Sequence, residues 1–334
     1  MSQWWIGGLR TRKAKVAGSI PAGGSTGIFI SLLIARQETN QELLNSLLQC
    51  HNLMEGVNFL DTLRTQLWTQ KYEGRPPRAV AIETTTWCNR SCSYCPNSIS
   101  PRGEKEFEKK LEQDTHTSII ESLHEMRFKG KLSYQFYGEP LLDSRLEVFV
   151  KEARSKLDSK VKITFSTNGD LLNLERLHTL YLNGVNWITL SIHDEEPKAK
   201  LIELLQRLDA GNYKTPEIRV KPLKEFKQFF NRGGLVSVPE GQRPELIHGC
   251  DKATHMQIDA MGNVVLCCND FFSENILGEI EGNNLSEIWQ RSEKLRKKIF
   301  LGEYALDICK KCVGMDKSAK APLPLLDIQR FNRI

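Results

Sequence analysis

From residue 78 the chain alternates short β-rich runs with longer stretches of helical period. The runs Ala79 to Thr85, Leu132 to Tyr137, Val161 to Ser166, Trp187 to Ile192 and Glu217 to Lys221 read as strands. Between them, Thr117 to Lys129, Arg145 to Leu157, Leu174 to Leu182 and Pro197 to Leu208 read as helices. This alternation predicts βα units on a parallel sheet, an architecture that places its chemistry just beyond the carboxyl ends of the strands. The residues from 211 to 248 leave little room for two more βα units, so the pattern predicts an incomplete barrel or an irregular sixth strand.

After a turn at Asn231 to Gly234 comes a Pro/Gly-rich linker, Pro239 to Pro244. A hairpin is then predicted, with strands Met256 to Asp259 and Val264 to Leu266 about the turn Met261-Gly262-Asn263, followed by a helix from about Ser286 to Phe300. Upstream, Thr39-x-x-Glu42 resembles a capping box leading into Leu43, Leu44, Leu47 and Leu48 at helical spacing. Cys50 beside it reads as a small buried residue. The apolar run 27–36 resembles a signal-peptide core but is too short to span a bilayer and lacks a clean cleavage site. Gly18-Ser19-Ile20-Pro21 back-translates to a T-arm-like transfer-RNA sequence, so residues 1–26 are expected to be read-through from a neighbouring gene and irrelevant to the fold.

Composition changes this picture little. The 334 residues are 40% hydrophobic and 26% charged, the balance of an ordinary globular chain. The net charge of +5 sits mostly in residues 1–26, with four basic residues and no acidic ones; the remaining 42 Lys and Arg face 41 Asp and Glu. That is no basic face for nucleic acid, and Lys294 to Lys298 and Lys317 to Lys320 read as solvated helix faces. Nine cysteines, an odd number in tight groups, point to metal binding in a reducing cytoplasm and not to disulfides.

Cys88-x3-Cys92-x2-Cys95 follows the first strand directly. Three thiolates on one loop can hold three corners of a [4Fe-4S] cube and leave the fourth iron open; the competing reading is a zinc knuckle with a distant fourth ligand. Here the chain resembles the radical S-adenosylmethionine (radical SAM) superfamily, over residues 78–320. The resemblance implies an α/β fold: a partial (βα)6 TIM-like barrel over 78–240, with a small Cys-rich C-terminal β-hairpin and helix domain over 245–320, a helical segment 27–77 before it and a tail 321–334 after it. It implies that the open iron chelates S-adenosylmethionine and that Tyr94, just before the third cysteine, lies near its adenine. Gly138-Glu139-Pro140 is similar to the family's GGE motif for the methionine amino group, with Tyr137 in place of the first glycine. Ser166 and Asn168 after the third strand, and Ser191 with His193 after the fourth, are implied to meet the ribose and carboxylate; read alone, each is equally a turn or cap. His193 is a candidate proton carrier, and Arg219 either faces the cofactor or pairs with an acid.

The second set is Cys250, Cys267, Cys268, Cys309 and Cys312. Cys250-x11-Gly262-x4-Cys267 with Cys309-x2-Cys312 resembles the one-cluster form of the SPASM or Twitch extensions, implying an auxiliary [4Fe-4S] cluster; a zinc ribbon is the alternative. Adjacent strand residues face opposite ways, so Cys267 and Cys268 do not both address one cube. The spacing favours Cys267 as ligand, leaving Cys268 either a buried inert thiol or a hydrogen-atom donor.

The activity implied is reductive cleavage of S-adenosylmethionine to methionine and a 5'-deoxyadenosyl radical, which takes a hydrogen atom from a small polar, carbohydrate-like substrate. Oxidation, epimerisation or dehydration follows. A ribosomal peptide is the alternative substrate, and a flavodoxin- or ferredoxin-type protein the expected electron donor. No membrane or nucleic-acid partner is expected. The rivals from other classes are a non-catalytic zinc-binding interaction module and an electron-transfer iron-sulfur protein.

Overall fold

The computed structural model describes residues 57–193, 199–211, 213–222, 231–236 and 249–315. The predicted read-through segment, the 27–36 run, the helix after Thr39, the linker and the C-terminal tail lie outside them.

The first described element is helix α1, Val57–Lys71. It leads into five strands separated by helices: β1 Ala79–Ile82, α2 Gln113–Glu125, β2 Lys131–Tyr134, α3 Leu146–Lys156, β3 Lys162–Thr167, α4 Leu174–Leu182, β4 Trp187–Ile192, α5 Ala199–Ala210 and β5 Glu217–Pro222. The second half adds β6 His255–Ile258, β7 Asn263–Val265, β8 Ile276–Glu279, α6 Leu285–Arg291, α7 Glu293–Leu301 and α8 Asp307–Cys312. The eight strands among the described residues form one sheet in the order β5-β4-β3-β2-β1-β6-β7-β8.

β1 to β5 are mutually parallel and each is added beside its predecessor. Growth in a single direction over five successive strands is the arrangement of a (βα) barrel. The sixth parallel strand is β6, which pairs with β1 from Ala79↔His255 to Ile82↔Ile258. The segment expected only to begin the C-terminal hairpin therefore adds a sixth parallel strand beside β1. β7 and β8 then continue the same sheet antiparallel.

Strand alternation sorts the two faces. Val80, Ile82, Leu132, Ile163, Phe165 and Ile188 pack in one core with apolar residues of α2 to α5. The opposite face carries Ala81, Ser133, Thr164 and Trp187 in one row, so that face is mixed while the strongly apolar side is under the helices.

Two helices depart from expectation. α2 starts and ends four residues early, and it ends where Arg127 takes φ 54 and turns the chain into β2. The single predicted helix from Ser286 to Phe300 is broken at Ser292, whose hydroxyl donates to Trp289 O at 2.9 Å while Arg296 Nη2 takes the same carbonyl at 2.7 Å. A carbonyl claimed by two side chains no longer serves the helical ladder. Among the described residues no helix is long and apolar enough to cross a membrane.

His116 on α2 is fully buried, stacked on Phe149 at 4.2 Å, with Nδ1 at 2.9 Å from Glu152 Oε2 and Nε2 at 2.9 Å from the Tyr134 hydroxyl. Burial holds it down to about 4 against the Glu152 charge that raises it. An unfolded histidine protonates below pH ~6.5 while this one stays neutral, so stability is lost as pH falls from there toward 4. Urea unfolding followed by circular dichroism should show a loss on the order of 1–2 kcal/mol between pH 7 and pH 5. The loss should be smaller in His116→Gln.

Candidate active site

The carboxyl ends of β1 to β4 converge on the loop that carries Cys88, Cys92 and Cys95. The loop is folded by its own backbone: Cys95 N donates to Cys92 O at 2.8 Å, Ser98 N to Cys95 O at 2.9 Å and Cys88 N to Gly103 O at 3.0 Å. None of the eight cysteines among the described residues is in a disulfide. Burial pushes the Cys88 thiol far up, and the Glu139 charge adds to it; burial likewise raises Cys95. Thiols this disfavoured as bare anions are suited to pairing with the positive irons of a cluster.

The loop after β2 is laced to this cradle. Glu139 N donates to Trp87 O at 2.8 Å and Asn97 Nδ2 to Tyr137 O at 3.0 Å. Gly138 is required by proximity, since a Cβ there would lie 1.8 Å from Thr85 O. Pro140 opens a buried turn behind it. The Glu139 carboxylate is 3% exposed. Its Oε1 accepts from Thr167 Oγ1 at 2.7 Å and Leu141 N at 3.1 Å, and its Oε2 from Asn168 N at 2.8 Å. Burial lifts it to about 7 in spite of those bonds.

Asn168 reaches the cysteine loop through Nδ2, which donates to Asn89 Oδ1 at 2.8 Å. Ser166 Oγ donates to Gln135 Oε1 at 2.6 Å, inside the barrel. The structure brings Tyr94 and His193 together: the phenol and Nδ1 are hydrogen-bond partners, with ring centroids 5.8 Å apart. Ser191 is the penultimate residue of β4, paired with Lys221. Arg219 takes the acid-pair option, holding Glu217 at 2.9 Å and lying 4.1 Å over the Trp187 ring.

Sequence reasoning missed three anchors of this site. Arg90 grips Asp170 with two bonds of 2.7 Å, tying the cysteine loop to the β3 end. Buried Glu83, just past β1, binds Arg102 at 3.1 and 2.6 Å and also accepts from Tyr137 N and Ala260 N at 3.3 Å. Tyr137 sends its hydroxyl to Cys268 O at 2.8 Å. The only signal for them was a polar residue at each strand end, which does not name a partner.

The second set of thiols gathers between β7 and α8. Cys250 lies within electrostatic reach of Cys312 and Cys268, Cys309 of Cys250 and Cys312, and Cys267 of Cys268, Cys250 and Cys312. Burial raises Cys250, Cys267 and Cys312 and pushes Cys309 up to about 12. Asn269, also unforeseen, donates its backbone N to Cys267 Sγ at 3.4 Å and its Nδ2 to Cys312 Sγ at 3.2 Å. A cube takes each thiolate on a different iron, so the gathered thiols suit a cluster.

Residues 82–238 match the radical SAM superfamily and residues 250–313 an iron-sulfur cluster-binding domain. A curated relative, the S-adenosyl-L-methionine-dependent 2-deoxy-scyllo-inosamine dehydrogenase of Niallia circulans, is 29% identical over 70% of this chain and 91% of its own length. The solved structure of BtrN in complex with AdoMet and 2-DOIA superposes with a TM-score of 0.63 at 26% identity, covering 71% of this chain and 93% of that one. The PqqA peptide cyclase of Streptomyces rochei is 34% identical over 37% of this chain but only 32% of its own length.

Gly138→Ala should push the β2 loop off Thr85 and open the cradle. Iron content after anaerobic reconstitution and absorbance near 400 nm should fall by about half, the share of one cluster of two.

Proposed function

This chain belongs to the radical SAM superfamily, and on that premise we propose that it oxidises a small polar substrate of the carbohydrate or aminocyclitol class. It is an iron-sulfur enzyme of oxidoreductase type, using S-adenosylmethionine, a first [4Fe-4S] cluster and an auxiliary one. The observation that carries the substrate reading is likeness along 91% of a dehydrogenase of that class. The peptide-acting relative shares about a third of its length, which gives the peptide reading less support.

In this reading Cys88, Cys92 and Cys95 hold the first cluster, and Cys250, Cys267, Cys309 and Cys312 the auxiliary one. When bound at the reduced first cluster, S-adenosylmethionine supplies hydrogen-atom abstraction and ends as methionine and 5'-deoxyadenosine. Tyr94, fixed by His193, lines the adenine side, and Glu139 with Gly138 and Pro140 shapes the methionine side. Ser166, Asn168 and Ser191 frame the cofactor's ribose and carboxylate from the β3 and β4 ends. Oxidation requires the substrate to give up one further electron and one proton; a cluster held by Cys250, Cys267, Cys309 and Cys312 would accept the electron, and His193 is the proton carrier in this reading. A flavodoxin- or ferredoxin-type protein would supply the electron to the cluster held by Cys88, Cys92 and Cys95.

The branch between oxidation and epimerisation depends on Cys268. Tyr137 fixes its backbone through the carbonyl, and its thiol lies within electrostatic reach of Cys250, Cys267 and Cys312. An enzyme that oxidises needs no hydrogen returned, so Cys268→Ala should retain turnover and place no solvent deuterium at the reacting carbon. Loss of turnover together with solvent label in the wild-type product would transfer the reading to epimerisation.

The anaerobically reconstituted protein should hold about eight irons, the content of two cubes. With reductant and S-adenosylmethionine it should release 5'-deoxyadenosine faster in the presence of aminocyclitols or related sugars than with peptides. Zinc without iron, or acceleration by peptides alone, overturns the proposal.

A further inference from the structure

α1 precedes both matched segments, yet it is built into the auxiliary site. Leu67, Trp68 and Tyr72 share an apolar cluster with Leu266, Phe300 and Cys309. Arg64 is the charged residue of that face, and it is 3% exposed. Its Nε donates to Phe300 O at 2.8 Å and its guanidinium lies 4.3 Å over the Phe300 ring. Nη2 lies 3.5 Å from Asp251 Oδ1 and makes no hydrogen bond.

The chain beneath it is Gly249, at φ 93, where a Cβ would sit 2.0 Å from Phe300 O and 2.5 Å from Arg64 Nη2. Only a residue without a side chain fits there, so the backbone entering Cys250 is brought against the guanidinium. Cys250 N donates to Ile299 O at 3.1 Å, beside the same helix end, and its thiol lies within electrostatic reach of Arg64.

A buried guanidinium is costly unless negative charge compensates it. Asp251 is 36% exposed and stands at the long distance already given, so solvent screens much of what it offers. A cube held by four thiolates is anionic and gains one more negative charge on reduction, and nearby charge is one of the levers on cluster potential. We infer that Arg64 is a positioning residue for the auxiliary cluster: it holds the Gly249-Cys250 turn, and its positive charge makes that cluster easier to reduce. This rests on the auxiliary-cluster reading of Cys250, Cys267, Cys309 and Cys312. An electron acceptor needs this bias, because the charge favours the reduced state over the oxidised one.

The test uses the full chain with Cys88, Cys92 and Cys95 each changed to Ala, which leaves only the auxiliary site to load. Its midpoint potential is read by redox titration with electron paramagnetic resonance, alongside iron content. In that parent, Arg64→Gln should keep roughly four irons, one cube, and shift the midpoint to more negative values, while Arg64→Lys stays near the parent. Loading lost in Arg64→Gln but kept by Arg64→Lys at the parent's midpoint also upholds the charge requirement. An unshifted Arg64→Gln, equal shifts in both variants, or loss of loading in both overturns it. A parent that binds no iron sinks the auxiliary-cluster reading before Arg64 is touched, and the inference goes with it.

Discussion

The catalytic end of this protein depends on one buried carboxylate with three donors. Glu139 accepts from the ends of two different strands' loops, Leu141 beyond β2 and Thr167 with Asn168 at β3, while its own backbone N donates to Trp87 at the entrance to the cysteine loop. A buried carboxylate is unfavourable unless its lone pairs are satisfied. The bonds that satisfy it also fix three loops relative to each other. The thiol cradle therefore inherits its shape from the register of β1, β2 and β3, not from the cysteine loop alone, and Arg90 on Asp170 closes the same loops from the outside.

A second carboxylate, Glu83, performs the corresponding task between the barrel and the iron-sulfur cluster-binding domain. It is 1% exposed and joins Arg102 of the cysteine loop to Ala260 of the hairpin, with Tyr137 bonded at both ends, N to Glu83 and hydroxyl to Cys268 O. β6 makes the connection continuous, since it is at once the sixth barrel strand and the first strand of the hairpin. The two thiol sets are thus held by one sheet and one polar seam. Breaking a buried ion pair by removing one partner leaves an unpaired charge at several kcal/mol, so this seam resists drift of one site relative to the other.

The departure at Tyr137 from the familiar glycine is explained by that seam. Glycine there would have no hydroxyl for Cys268 O and no ring to meet Phe271 edge-on at 4.8 Å. Arg219 was readable in two ways because a strand position fixes the face of a side chain but not its partner; Glu217, two residues away on the same face, captured it.

The sequence by itself determined the thiol motifs and the succession of strands and helices in the first half, because thiol spacing on one loop and the alternation of apolar periods are local properties. Cys88, Cys92 and Cys95, the pair Cys309 and Cys312, β1 to β5 and their helices all lie within a few residues of the signals that revealed them. Only the tertiary structure decided that β6 joins β1, that Tyr94 meets His193 across ninety-nine residues, and that α1 delivers Arg64 to Cys250. Those contacts are long-range pairings between groups that each have several acceptable partners. The choice among them is made when the sheet closes and buries them together.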